Sequence, residues 1–220
     1  VPGNEVLTVE NIAVSGADAG IYVNSAGITV SSRVEIVNCL LDGNGIGIAG
    51  NRPHYIKISN CTIKNSQLRD DFNGDGILLF NPGSEYEHLI ENCEIFDNDG
   101  CGIRLKLCQN PLRIYNNYLH DNLRQNISGY TSYGEITLYN SSPVLKADSV
   151  VATNGYPLVT MNSSAPYLGE GTNYFGLHTS GSDPYAAIYA NNGFPVMRRV
   201  FNNFSHNDCN TDLLIKDETV

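Results

Sequence analysis

The sequence predicts an all-β solenoid of about eight coils, and three observations carry that prediction. First, Asn and a short apolar strand recur at Asn38-Cys39-Leu40-Leu41, Asn60-Cys61-Thr62-Ile63, Asn92-Cys93-Glu94-Ile95 and Asn116-Asn117-Tyr118-Leu119. Second, the same mark returns at Asn11-Ile12, Asp148-Ser149, Thr172-Asn173 and Asn202-Asn203, so that successive marks stand roughly 22 to 32 residues apart, a solenoid period. Third, 27 of the 220 residues are Asn and Trp is absent. Asn tolerates left-handed backbone and bonds its own neighbours, which suits a turn repeated once per coil.

Each coil opens on a strand, as at Val34 to Val37, Ile56 to Ser59 and Leu112 to Tyr115. The Asn-marked bend, a two- or three-residue strand and a polar turn follow. The last strand of the coil usually begins with Gly-Ile, as in Gly45-Ile46-Gly47-Ile48, Gly76-Ile77-Leu78-Leu79-Phe80 and Gly102-Ile103-Arg104-Leu105-Lys106-Leu107. Alternation with period two is clear in the Gly102 strand and in Glu135-Ile136-Thr137-Leu138-Tyr139. Pro53, Pro82, Pro111, Pro143, Pro166 and Pro195 fall near coil ends, where a missing backbone donor does no harm. Coils stacked at one strand spacing make a rod, hydrogen-bonded along its axis like a parallel sheet.

The repeat runs almost the whole length of the chain, which leaves one elongated domain, residues 1–220, and no room for a second core. Neither end reads as a cap, so we expect a segment of a longer exported protein, or ends that stack on partners. The formal net charge is -10 and the 13 Lys and Arg residues form no basic stripe, which excludes nucleic acid as a partner. No apolar run reaches the length of a membrane span. Cys39, Cys61 and Cys93 share one coil position, and in-register Cβ vectors run parallel rather than converge, so buried free thiols are expected there. Cys101 and Cys108 flank one strand and cannot meet, and Cys209 has no evident partner.

With its Asn-marked bends and stacked apolar strands, the chain over about residues 5 to 210 resembles the right-handed parallel β-helix proteins, the broad pectin-lyase-like group. The resemblance implies a right-handed parallel β-helix and a carbohydrate-related role, because members include polysaccharide lyases, glycoside hydrolases, epimerases and adhesins. It also implies an extracellular or cell-surface location. The shared residues build coils and specify no activity.

Binding chemistry is expected on the insertions that precede the last strand of alternate coils, Gln67 to Gly74, Arg124 to Tyr133 and His178 to Pro184. Loops held on one side of a rigid scaffold are the default place for binding residues. Asp71-Phe72-Asn73-Gly74-Asp75-Gly76 matches the opening of a calcium loop, with Asp71, Asn73 and Asp75 as alternating oxygen ligands. The closing carboxylate position falls on Pro82, so further ligands would come from neighbouring coils, and a plain acidic turn reads the same residues equally.

Ile103, Leu105 and Leu107 face inward by alternation, so Arg104 and Lys106 are expected to project to solvent. Leu78 and Phe80 on the preceding coil and Thr137 and Tyr139 on the following one are their expected neighbours. Cations flanked by Phe80 and Tyr139, with Asp99 at the edge, suit an acidic sugar; Arg104 and Lys106 would neutralise its carboxylate or remove a proton in β-elimination. A carboxylate pair for glycoside hydrolysis would come from Asp70, Asp71, Asp75, Asp97, Asp99 and Glu135. The histidines, His120 among them, read as solvated turn residues. Three functional readings stay open: a polysaccharide-binding or polysaccharide-processing β-helix, a structural or adhesive rod, and a self-associating filament component.

Overall fold

In the computed structural model, residues 6–27, 32–69, 72–109, 111–125, 133–168, 173–177, 186–193, 195–197, 202–203 and 211–216 are described. They form three sheets of eight strands each, and every coil contributes one strand to each sheet. The first coil supplies Val6–Glu10, Ala13–Ser15 and Ala19–Asn24 in turn, and these begin the first, second and third sheets. Each strand pairs in parallel with its counterpart on the next coil, as Val34 with Ile56, Leu41 with Ile63 and Ile77 with Ile103. The eight-coil solenoid expected from the repeat is therefore present.

Alternation puts one residue type in the same place coil after coil. Ile36, Ile58, Ile90, Ile114 and Leu145 stack in register inside the first sheet, and all five are fully buried. Leu41, Ile63, Ile95, Leu119 and Val150 do the same inside the second. Each such side chain contributes about 1.5–3 kcal/mol of transfer free energy, so the core is a set of apolar columns parallel to the rod axis.

The bends follow equally regular columns. Between the first and second sheets, Asn11, Asn38, Asn60, Asn92 and Asn116 all have φ between 53° and 56°, the left-handed region that Asn tolerates and branched residues do not. The next residue points inward and ties coils together. Cys39, Cys61 and Cys93 direct their thiols at the carbonyls of Val9, Ile36 and Ile58 on the preceding coil, and Asn117 and Asn173 donate to those of Ile90 and Leu145. As expected, the column thiols are free and buried, as are Cys101 and Cys108; Cys209 lies outside the described residues.

A glycine column opens the strands of the third sheet. A Cβ on Gly47 would press on the Ile63 side chain and lie 2.6 Å from the Gly76 carbonyl oxygen, so the next coil could not keep its spacing. Gly47→Ala is expected to cost about 1–3 kcal/mol through overpacking. A urea midpoint equal to that of the parent would contradict this account.

Candidate functional site

The first two insertions enter at the same turn, between the second and third sheets, so they start from one side of the rod. Residues 126–132 of the second and the whole of the third, His178 to Pro184, lie outside the described residues. The first forms an antiparallel hairpin, Leu68–Arg69 with Phe72–Asn73. Arg69 folds it back onto earlier coils by donating to the carbonyls of Ala17 and Gly43, each at 3.2 Å.

Register on the third sheet matches the expectation: Arg104 lies between Leu78 and Thr137, and Lys106 between Phe80 and Tyr139. Tyr139 is 42% exposed, and Phe80 and Lys106 are half-buried. Lys106 has no ion pair among the described residues. The row continues toward the start of the chain through Asn51, the neighbour of Phe80, and Asn24.

Arg104 corrects the expectation of two solvent-facing cations, because it is only 1% exposed. Its side chain does leave the rod interior, but the insertion side closes over it. Asp75 Oδ1 takes an Arg104 Nη2 hydrogen at 2.8 Å, and the Tyr133 ring centroid lies 4.3 Å from the guanidinium carbon. The Cys101 sulfur, 3.6 Å from Nη2, completes the enclosure. Burial pushes the Asp75 carboxyl up, and the adjacent guanidinium opposes that shift. Because Arg stays protonated in proteins, we read the pair as ionised.

Asp75, expected as a calcium ligand, is taken up by protein contacts. Its Oδ1 also accepts the Cys101 N–H at 2.9 Å, and the residue is fully buried against Arg104, so it does not face a cation in the preceding loop. Asn73 belongs to the hairpin, and Asp71 lies outside the described residues. Among the described residues no group of three or more metal-ligating side chains is assembled. Asp99 is likewise not at a ligand-facing edge. It is 6% exposed and braces the insertions, with Oδ2 accepting the Leu68 N–H at 3.0 Å and Oδ1 facing Arg124 Nη2 at 3.2 Å.

Two other carboxylates sit inside the rod within polar ladders. In the turn from the second to the third sheet, Asn98 Nδ2 donates to Asn122 Oδ1 at 2.7 Å. Glu135 ends this ladder, accepting from the Asn122 backbone N–H at 3.0 Å and from its side-chain amide. Asp148 occupies the inward column after the first bend, where its Oδ1 accepts from Asn117 N at 2.9 Å and Nδ2 at 3.0 Å. Burial pushes the Glu135 carboxyl up to about 8 and the Asp148 carboxyl up to about 7. Perturbed carboxyls suggest catalysis when they line a cleft, but these two are sealed in ladders.

His120 is not a solvated turn residue. Its ring stacks on Phe96 at 5.0 Å and 5°, and on Tyr118 at 4.3 Å. Its two nitrogens face Asp121 at 2.8 Å and Glu94 at 3.5 Å. Phe96 is the register neighbour of His120 on the preceding coil and Tyr118 lies on its own strand, so both faces of the ring are already used.

Sequence reasoning missed a solvent-open cleft of about 370 Å³ lined by Ser25, Gly27, Arg52, His54, Asn81, Pro82, Gly83 and Ser84. It adjoins the Asn51 end of the Phe80–Lys106–Tyr139 row. A signal was present, because Arg52 stands as a cation in a bend column in which Asn81, Asn140, Asn162 and Asn192 take left-handed φ; Leu107, expected to face inward, instead turns in the same column at φ 58°.

The family model described as the right handed beta helix region matches residues 1–173. Among solved structures, the A-module of the mannuronan C-5 epimerase AlgE4 from Azotobacter vinelandii is similar, at 12% identity and a TM-score of 0.41 over 93% of this chain. The match spans 58% of that module's length. No curated protein matches the chain in sequence. With parallel coils throughout and a family match over most of its length, this chain belongs to the right-handed β-helix family.

Proposed function

We propose that the chain binds an acidic polysaccharide along the outer face of the third sheet, on a track centred on Lys106. The observation that carries this reading is a half-buried lysine with no ion pair among the described residues, set in register between Phe80 and the exposed Tyr139. An ammonium between two aromatic side chains supplies charge to a sugar carboxylate and apolar surface to the sugar ring. The geometry favours binding over cleavage, because Arg104, Asp75, Asp99 and Glu135 direct polar atoms into protein contacts.

Affinity electrophoresis through gels containing polygalacturonate or a neutral glucan tests the reading. The acidic gel alone is expected to retard the parent protein, and Lys106→Ala to weaken that retention by about three- to tenfold, the range of a partly exposed charge contact. Assays for reducing ends and for unsaturated sugars on the same samples would detect cleavage. Equal migration in both gels would favour the structural rod, a reading supported by the unbroken ladders and apolar columns.

A further inference from the structure

The cleft around Arg52 and His54 has no part in the reading above, yet it places a cation and several donors together on a chain of net charge -10. Arg52 forms no ion pair among the described residues. It is exposed and held at φ 50°, in the left-handed region that Gly and Asn adopt most readily. Asn fills the equivalent position on four other coils and Leu107 on a fifth, so the bend accepts Asn at position 52.

His54 is oriented for the same purpose. Its Nδ1 accepts the Ser32 backbone N–H at 3.1 Å, which places the ring proton on Nε2 as a donor. His88, one coil later, repeats this arrangement, with Nδ1 accepting the Ile56 N–H and Nε2 facing the Gly83 carbonyl at 2.7 Å. His54 has no such carbonyl contact among the described residues, which leaves its Nε2–H available. Gly83 keeps the wall close, since a Cβ there would lie 3.2 Å from the His54 Cα. Ser84 and Asn81 add polar groups to the lining.

We propose that this cleft is a second subsite, specific for a carboxylate-bearing sugar. The planar Arg52 fork and the single His54 donor match a carboxylate, and the Ser and Asn groups match sugar hydroxyls. A volume of about 370 Å³ lies in the range of small-ligand sites. The net charge of the rod disfavours a more highly charged anion.

The subsite rests on the acidic-glycan reading and refines it. Arg52 follows Asn51, which is two coils from Lys106 through Phe80. At roughly 4.8 Å per coil the two cations stand about 10 Å apart along the axis. A glycan lying on the row would place one acidic group at Lys106 and another in the cleft.

Titration of the full chain with galacturonate, trigalacturonate, glucose and inorganic sulfate, followed by NMR shifts, tests the proposal on the parent, Arg52→Asn and Lys106→Ala. Asn suits the left-handed position, so the Arg52 variant should fold at least as stably as the parent. The expected result is galacturonate-induced shifts at the cleft residues Gly83 and Ser84 whose apparent affinity falls at least tenfold in Arg52→Asn, with trigalacturonate weakened by both variants. Unchanged galacturonate affinity in Arg52→Asn, or no galacturonate binding to the parent, overturns the subsite. Glucose or sulfate binding as tightly as galacturonate overturns its carboxylate specificity. If Lys106→Ala alone weakens trigalacturonate, the track stands and the cleft fails; if Arg52→Asn alone does so, the cleft stands and the track fails.

Discussion

Replacing Asp148 with Asn is expected to stabilise the rod at pH 8 and to change its stability little at pH 4. The carboxyl lies in a column whose neighbours Asn117 and Asn173 donate to the Ile90 and Leu145 carbonyls. Asp148 Oδ1 accepts from Asn117 N and Nδ2, and Oδ2 accepts the Lys146 N–H at 3.2 Å, so an Asn retains the two Asn117 contacts and gives up only the longer one to Lys146. Burial raises the folded pKa from 3.8 to about 7. A raised carboxyl pKa means that folding favours the protonated form. Its stabilising contribution is therefore full below about pH 3.8 and is lost as pH rises toward 7.

Three pKa units at about 1.4 kcal/mol each give a gain for Asp148→Asn on the order of 4 kcal/mol above pH 7. Glu135 adds a loss of the same sign between its ordinary value of 4.5 and about 8. Glu135→Gln should remove that slope, although its amide would meet the Asn122 donors and lower stability at acid pH. His88 acts in the opposite sense: burial lowers its pKa, so it weakens the fold as pH falls below 6.5. Comparing each variant with the parent across pH 4 to 9 in urea cancels the His88 contribution. A parent-minus-variant difference that stays flat with pH would sink the account.

The second large effect concerns the enclosed pair of Arg104 and Asp75. Asp75→Asn keeps an acceptor for the Cys101 N–H but leaves the guanidinium buried without a counter-charge, which should cost about 3–5 kcal/mol. Arg104→Met in that background removes the stranded charge and should recover most of the loss. Arg104 Nε and Nη1 and Asp75 Oδ2 have no hydrogen-bond partner, so the pair is imperfectly satisfied and an apolar replacement has less to match. Simple additivity of the two substitutions in denaturant titrations would refute the coupling.

The repeat was legible because each coil position meets the same environment on the coils before and after it. Left-handed Asn bends, inward Cys and Asn side chains, Gly-Ile strands and the register of Lys106 between Phe80 and Tyr139 follow from that periodicity. The candidate site was read only in part. Lys106 stayed on the outer row, whereas Arg104, on the same face of the same strand, was buried by Asp75, Cys101 and Tyr133. Asp99 was likewise drawn into bracing the insertions.

By itself the sequence determined the coil, its apolar columns and the outward set on each strand, because period-two alternation and a regular turn code are local properties. Tertiary structure alone decided which outward residues reach solvent, since that depends on how non-repeating insertions fold across several coils. It also decided that Arg52 and His54 line one cleft, and that Glu135 and Asp148 hold their protons toward neutral pH. Desolvation sums over all surrounding atoms, and no single stretch of chain encodes that sum.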